Sequence, residues 1–423
     1  MKKFLPKALL VLVILAPFIF IETIIVTKSV DMPYQDGWTL VPVFENLDAH
    51  HYVTATKLLW YQHNEHRPFF PNLFSVIVGE FTRWNIKVEM LLNGVLALAT
   101  FSIFIWYAKK SARKKAALYI FLPIMALMLF SPNQWENWLW GWQIEWLFCV
   151  LAGVLALALL DRKFQKASIN LKLIAAALLC FIATFSVGNG FVFWLVGYIP
   201  LFANKYSRKK ILLWTLGFVF SLALYFYHYE FLAPGPLKVH FIDYIQFIFA
   251  YIGSSFSQDL ATAVTVGVVI TVVSVLLVYK ARVIDKMPDD KIAFPLGIMI
   301  FVLASDIITL HSRLSIFGPD GALASRYVIV STLYTVAILL LLMQILADKF
   351  SLYLTAAILL PFVIGGYINN MTVLNQHAKY YASVKQCLVL PNPVHVCKQD
   401  AYPDVTNVTN WLEFVKAKHL AGF

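Results

Sequence analysis

Apolar runs of about 20 residues recur along this chain, and they constrain its fold more than any other feature. A helix needs about that length to cross the ~30 Å hydrocarbon core of a bilayer. The chain is 60% hydrophobic and only 13% charged, which is typical of an integral membrane protein. We therefore predict an all-α polytopic membrane protein with about eleven spans. These spans are predicted at residues 8–27, 88–108, 116–131, 138–160, 170–187, 189–203, 211–229, 260–279, 292–311, 328–347 and 352–370.

The connections between these runs differ in charge. If the N-terminus is cytoplasmic, most of the 34 Lys and Arg residues fall inside and most of the 23 acidic residues fall outside. Cytoplasmic loops usually carry such an excess of positive charge, so we expect the N-terminus inside and the C-terminus outside. The net charge of +11 then requires no nucleic-acid partner, because basic loops can face anionic lipid. The basic segments are MKKFLPK, KKSARKK, DRKFQK, NKYSRKK and KARVIDKMPDDK.

Two external segments are too long to be simple connectors. Residues 28–87, called here the first connection, contain two amphipathic stretches that we expect to form helices on the outer membrane surface. Residues 371–423, called here the tail, form a small external region after the transmembrane domain, residues 1–370. Cys387 and Cys397 lie in the tail, where an oxidising compartment favours a disulfide between them.

The first connection concentrates polar side chains in the stretch WYQHNEHRPFFPN, where His63, Glu65, His66 and Arg67 fall within five positions. Pro68 restricts the residue before it to extended backbone, so we expect Arg67 to project from the end of a surface helix. His63, Glu65 and His66 have side chains that can bind a divalent ion, but nothing in their spacing requires one. We therefore expect no metal or other cofactor.

Other external connections add acids, arginines and tryptophans. Residues 131–146 hold five Trp with Glu136, Gln143 and Glu145 between them, and residues 311–327 hold two arginines. Each connection taken alone is compatible with ordinary anchoring at the membrane interface. Together they predict one cavity at the outer face, with Asp36 in a turn-like QDGW sequence on one wall. The other residues expected to bind substrate there are Asn64, His66, Arg67, Glu136, Trp138, Gln143, Arg313 and Arg326.

These residue types suit a particular chemistry. A carboxylate can accept the proton of an attacking hydroxyl, an effect typically worth ~10²–10⁴-fold in rate. Guanidinium groups can hold a phosphate leaving group and stabilise its growing negative charge. Aromatic faces suit sugar rings. A donor with its phosphate at the interface and its hydrocarbon tail in the bilayer would be a polyprenyl-phosphate sugar.

The chain resembles the GT-C superfamily of polytopic glycosyltransferases. The resemblance lies in the number of spans, in a long first external loop with an Asp after the first helix and with surface helices, and in an external C-terminal region. More narrowly, QDGW, NEHR, ENWLWGWQ, ASRY and the paired tail cysteines are similar to segments of bacterial inner-membrane enzymes. Those enzymes are related to phage and O-antigen-modifying, or serotype-converting, transferases.

The resemblance implies inverting transfer of a monosaccharide from polyprenyl phosphate to a hydroxyl of a lipid-linked glycan or a cell-surface polysaccharide. The reaction would take place at the periplasmic face of the bacterial inner membrane, and a separate flippase and a donor synthase stay open as partners. The resemblance also implies that Asp36 is the base. Many relatives carry two adjacent acids here, whereas Gln35 precedes Asp36 in this chain. Glu65 and Asp31 therefore stay open as a second carboxylate, and Glu65 as an alternative base.

Two other classes of function also stay open. A transporter or flippase of a lipid-linked sugar would carry polar residues at mid-membrane, on broken helices within repeated halves. Here the span centres are nearly free of charge apart from Glu22, and no internal repeat is visible. A non-catalytic membrane scaffold is opposed only by the presence of Asp36.

Overall fold

The computed structural model describes residues 5–161, 169–231, 233 and 235–423. Within these ranges the protein is all-helical, and its only strand-like pairing is a single bridge between His63 and His66. The helices are α1 (Leu5–Lys28), α2 (Val41–Asp48), α3 (Tyr52–Trp60), α4 (Phe69–Thr82), α5 (Ile86–Ser111), α6 (Lys115–Leu129), α7 (Trp135–Leu139), α8 (Ile144–Leu160), α9 (Ile169–Thr184), α10 (Val192–Val196), α11 (Tyr198–Ala203), α12 (Arg208–Tyr225), α13 (Phe241–Gly253), α14 (Leu260–Tyr279), α15 (Asp289–Phe317), α16 (Val328–Ile345), α17 (Lys349–Val389), α18 (His395–Ala401) and α19 (Val405–Ala417).

Eight helical segments of the described chain are long and apolar enough to cross a membrane, as expected for a multi-pass membrane protein. They are Ala8–Lys28, Ile86–Ser111, Lys115–Leu139, Gly141–Leu160, Leu260–Ile284, Asp289–Phe317, Ser325–Ile345 and Lys349–Val389. The predicted count of about eleven is not confirmed, because three predicted spans are not among these segments. The described part of helix α9 has 16 residues, the next apolar run divides into α10 and α11, and α12 begins with Arg208-Lys209-Lys210.

Helix α16 forms the centre of the bundle. Its sequence is apolar on every side, and the whole of its span is buried among the surrounding helices. A helix that is hydrophobic all round needs such a position, since it has no polar face to turn outward. In contrast, α14 and α17 lie at the periphery, where only 17% and 11% of their spans are buried by the rest of the protein.

The connections rich in Lys and Arg meet at one end of the bundle. There the backbone N–H of Arg113 donates to the carbonyl of Met343 at 2.8 Å, and the hydroxyl of Tyr107 donates to the carbonyl of Lys291. Lys110 and Asp285 line a pocket at the same place. The first connection lies at the other end of α5. Two of the basic segments fall partly outside the described residues, because residues 1–4 and 162–168 are not among them.

The first connection is helical where amphipathic stretches predicted it, although its helices are short. The first stretch divides into α2 and α3, with His50 between them in the left-handed region at φ 59°. The second stretch forms α4, which ends at Arg83 in the same backbone region. These helices pack inward through aromatic rings, such as Phe44 against Trp84 with centroids 4.7 Å apart.

The tail is not separate from the last span. Helix α17 has 41 residues, or about 60 Å at 1.5 Å per residue, which is twice the thickness of a hydrocarbon core. The boundary placed at residue 370 therefore lies inside a continuous helix. Beyond it the tail folds back onto the first connection. Lys418 pairs with Asp48 at 2.8 Å, and the backbone N–H of Ala421 donates to the carbonyl of Arg83.

Cys387, near the end of α17, and Cys397, in α18, form the expected disulfide, with Cα atoms 6.2 Å apart. Breaking it should destabilise the tail by about 2–3 kcal/mol, because the bridge restricts the unfolded chain. We expect the backbone amides of α18 and α19 in a Cys387→Ser/Cys397→Ser variant to exchange hydrogen at least about tenfold faster.

The matched control for the disulfide is Cys149→Ser, because Cys149 is a free, buried cysteine of α8. It should leave exchange in the tail unchanged. Alkylation of both tail cysteines in the unreduced, folded protein would contradict the bridge.

Candidate functional site

A cavity of about 350 Å³ lies where the first connection, the α6–α8 connection, the α15–α16 connection and the second half of α17 meet. This volume suits a small ligand. Its walls combine aromatic rings with ionisable groups. Seven of the residues predicted for the site line it, namely Asp36, Asn64, His66, Glu136, Gln143, Arg313 and Arg326. Glu65, Arg67 and Trp138 are not among its lining residues.

Asp36 reaches the cavity from a 3₁₀ turn, Gln35–Leu40, that links α1 to α2. Its Oδ1 atom lies 3.3 Å from Nε2 of His63. Burial raises the pKa of this carboxyl, but the hydrogen bond and charge of His63 and the positive charge of Arg326 outweigh burial, so the pKa lies below its usual value. Asp36 is therefore a carboxylate at neutral pH.

The polar stretch of the first connection forms a tight two-residue turn. His63 and His66 exchange both backbone hydrogen bonds at 2.9 Å, and Asn64 adopts φ 48°, a conformation that Asn tolerates better than most residues. The turn directs His63 toward Asp36 and places its ring 5.3 Å from that of Trp142. Five polar residues follow one another here, from His63 to Arg67. The turn supplies three of them to the cavity wall and two to its support.

The supporting residues of this turn are Glu65 and Arg67. Glu65 accepts a hydrogen bond from Nη2 of Arg313 at 2.9 Å, and its backbone carbonyl accepts one from the hydroxyl of Tyr225. Glu65 thus orients Arg313, which lines the cavity, whereas Glu65 is not itself a lining residue. Asp31, the other candidate second carboxylate, accepts from the backbone N–H of Ile86 at 2.8 Å, and it too lies outside the cavity lining.

His66 lines the cavity as a neutral ring. Its Nδ1 atom accepts a hydrogen bond from the backbone N–H of Gly188 at 3.1 Å, which leaves the ring proton on Nε2. Burial and the nearby charge of Arg313 lower the pKa of His66 to about 3. His66 can therefore donate a hydrogen bond to a ligand, but it does not carry a positive charge.

Arg326 is fixed by Glu136. Its Nη1 atom donates to Oε1 of Glu136 at 2.8 Å, and its backbone N–H donates to Oε2 at 2.9 Å. The hydroxyl of Ser325 donates to the same Oε2 atom. Glu136 was expected to bind substrate, but both of its oxygens are occupied by residues 325 and 326. Its contribution is to orient the guanidinium.

The structure corrects the prediction that Arg67 faces the cavity. Its side chain is buried, and its nitrogens donate to the backbone carbonyls of Trp60, Tyr225, Tyr227 and His228 at 2.6–3.3 Å. Tyr225 is the last residue of α12, where the final carbonyls of a helix lack intrahelical partners and attract a cation, and Tyr227 and His228 lie just beyond that end. The sequence could not show this contact, because it is made to backbone atoms.

The structure also corrects the prediction that Trp138 binds substrate in the cavity. It is fully buried, and its Nε1 atom donates to the carbonyl of Ser131 at 2.8 Å. The helical turn of α7 directs Trp138 into the core, whereas the neighbouring tryptophans reach the cavity. Those tryptophans are Trp135, Trp140, Trp142 and Trp146.

Several lining residues escaped the sequence interpretation. Helix α17 contributes His377, Tyr380 and Tyr381, and the ring of His377 stacks on Trp135 with centroids 3.5 Å apart. Tyr34 packs on Tyr381 at 4.5 Å. His377 and Tyr381 are four residues apart, which places both on one face of a helix. The sequence did not indicate this face, because the predicted span ends at residue 370.

Three comparisons were made with known proteins. No family model matches this chain. No curated protein and no solved structure matches it either. The chemistry of the site is therefore inferred from its own residues. Among the described residues, no group of three or more His, Cys, Asp and Glu is arranged to hold a metal ion.

Proposed function

We propose that this protein is an inverting glycosyltransferase that moves a monosaccharide from a polyprenyl-phosphate donor to a hydroxyl of a lipid-linked glycan or cell-surface polysaccharide. One observation carries the proposal. An ionised carboxylate, Asp36, lies in an aromatic-lined cavity that also holds the guanidinium groups of Arg313 and Arg326. Such a site offers a base, cations for a leaving phosphate, and ring faces for a sugar.

The proposed reaction is a single displacement at the anomeric carbon of the donor sugar. The acceptor oxygen forms a bond to that carbon while the bond from the carbon to the phosphate oxygen breaks. The electron pair of the broken bond goes to the phosphate, and the acceptor proton goes to Asp36. Because no bond forms between the sugar and the protein, one carboxylate is enough, and the configuration at the anomeric carbon inverts.

The lowered pKa of Asp36 makes it a weak base, and this fits the proposed reaction. A free hydroxyl would not lose its proton to such a carboxylate. The hydroxyl becomes strongly acidic only as its oxygen bonds to the anomeric carbon, so the proton is transferred late. His63 then holds the carboxylate in place throughout the reaction.

The two arginines suit the leaving phosphate. The ion pair with Glu136 uses one nitrogen of Arg326, and the ion pair with Glu65 uses one nitrogen of Arg313. A guanidinium has five N–H donors in a rigid plane, so each arginine can hold a phosphate oxygen while its carboxylate partner fixes its direction. Positive charge that is in place before the reaction stabilises the negative charge that develops on the phosphate as it departs.

We place the cavity on the outer face of the bacterial inner membrane. The excess of Lys and Arg in the connections at the other end of the bundle supports this orientation. A reporter that is active only outside the cytoplasm should be active after Phe423 and inactive after Lys115. A fusion after Lys286, in the basic segment KARVIDKMPDDK, serves as the inactive control. The reverse pattern would overturn the orientation.

The function is tested by mass spectrometry of surface polysaccharide and lipid-linked glycans from cells with and without the protein. We expect the polysaccharide of cells that contain it to be heavier by one monosaccharide per modified unit. A flippase would instead change the distribution of lipid-linked sugar between leaflets, without a transfer product in purified components. Identical glycans in both cell types, or failure of the purified protein to transfer sugar, would refute the proposal.

A further inference from the structure

Three lining residues of the cavity carry a buried polar atom without a hydrogen-bond partner. They are Nε1 of Trp140, Oε1 of Gln143 and Oε2 of Glu145. The side chains of all three are more than nine-tenths buried, at 7%, 1% and 6% exposed. A buried polar atom without a partner costs about 1–3 kcal/mol. Three of them in six consecutive positions of one cavity wall indicate a surface that is completed by a ligand.

The backbone holds these atoms in fixed positions. The N–H of Trp140 donates to the carbonyl of Glu136, and the N–H of Gln143 donates to the carbonyl of Trp140. Between them, Gly141 packs so closely on α5 that a Cβ atom would lie 2.8 Å from Oε2 of Glu89. The segment from Trp140 to Glu145, called here the cavity floor, is thus pressed against a transmembrane helix.

The three atoms differ in hydrogen-bonding type. The indole N–H of Trp140 only donates, the amide oxygen of Gln143 only accepts, and the carboxyl oxygen of Glu145 accepts when the group is ionised. A ligand that satisfies all three must both donate and accept at neighbouring positions. Hydroxyl groups do so, and a sugar ring presents several of them within a few ångströms.

We propose that Trp140, Gln143 and Glu145 form a subsite for the hydroxyl groups of the transferred sugar. This inference rests on the proposed function and extends it, because it names the residues that recognise the sugar. The sugar ring lies on the floor, between Asp36 and the arginines.

The test is saturation-transfer NMR on purified protein in nanodiscs, without glycoside detergents, which would compete for the subsite. The probes are the methyl glycosides of glucose, galactose, mannose, rhamnose and N-acetylglucosamine. We expect at least one of them to bind. Glu145→Leu and Gln143→Leu should each raise the Kd of the bound glycoside about tenfold, since each removes a hydrogen bond.

Two further variants separate recognition from misfolding. Glu145→Gln keeps an oxygen that can accept a hydrogen bond and has N–H groups that can donate one, so it should bind the glycoside within about threefold of the unsubstituted protein. Asp306→Leu is the matched control, because Asp306 is a buried carboxyl of α15 that also lacks a partner but does not line the cavity. It should leave glycoside binding unchanged.

Two outcomes would overturn the subsite. They are the absence of a glycoside whose binding Glu145→Leu and Gln143→Leu weaken, and an equal loss of binding in Asp306→Leu. If the protein binds a glycoside but transfers no sugar, the proposed subsite stands and the proposed transferase function is refuted. Transfer of a sugar without any effect of the Glu145 variants would retain the transferase and refute the subsite.

Discussion

Asp36→Asn should lower the rate of sugar transfer by at least about 100-fold and leave donor binding nearly unchanged. The substitution keeps the shape of the side chain and its contact with His63, but an amide cannot accept the acceptor proton. Because the pKa of Asp36 lies below its usual value, this group should cause no loss of rate between about pH 8 and about pH 5. The measurement is single-turnover transfer with a short-chain lipid-phosphate sugar, followed across that pH range.

Two carboxyl variants serve as controls for Asp36. Asp48→Asn alters an exposed carboxylate of the same connection, paired with Lys418, and should be nearly neutral. Glu65→Gln should weaken donor binding rather than the proton transfer, because Glu65 orients Arg313 and does not line the cavity. Normal transfer by Asp36→Asn together with complete loss in Glu65→Gln would move the base to Glu65.

Arg67→Ala should destabilise the protein by about 3–5 kcal/mol, because it removes a buried cation that satisfies four backbone carbonyls. Arg67→Lys should recover only part of the loss, since a single ammonium cannot reproduce the planar set of donors. Thermal unfolding measures the overall effect. Hydrogen exchange at residues 225–230 should increase most, because that segment is held by the guanidinium.

Lys57→Ala, an exposed substitution on α3, is the matched control for Arg67 and should change stability by less than about 0.5 kcal/mol. Loss of donor binding by Arg67→Ala at unchanged stability would contradict the structural role. It would also restore the interpretation of Arg67 as a phosphate ligand.

Much of the fold was predictable because a bilayer imposes its thickness on every helix that crosses it. Eight apolar runs therefore became helical segments long enough to cross it, although α17 continues well past its predicted end. The runs at 170–187, 189–203 and 211–229 are not confirmed as spans, and the second of them divides at Gly197 into the short helices α10 and α11. The continuation of α17 past residue 370 was not predictable from hydrophobicity, since the residues beyond it are polar and aromatic.

The site was predictable in its composition but not in the roles of its members. The turn-like sequence QDGW indicated Asp36, and the concentration of polar residues indicated the segment from His63 to Arg67. Which of these side chains face the ligand depends on contacts between residues far apart in sequence. Arg67 binds carbonyls about 160 positions away, and Glu136 is occupied by Arg326 about 190 positions away. No local pattern contains such information.

Helix α17 makes the cavity sensitive to the mechanical state of the bilayer. Its first half lies among lipids, and its second half carries His377 and Tyr381 into the cavity wall without a break in the helix. A thinner or thicker bilayer changes the tilt of a peripheral helix. A tilt of about 5° displaces a point 30 Å along a rigid rod by roughly 2–3 Å, a distance comparable to a hydrogen bond. Membrane thickness would thereby act on the geometry of the aromatic wall, and the lipid composition would alter the shape of the cavity.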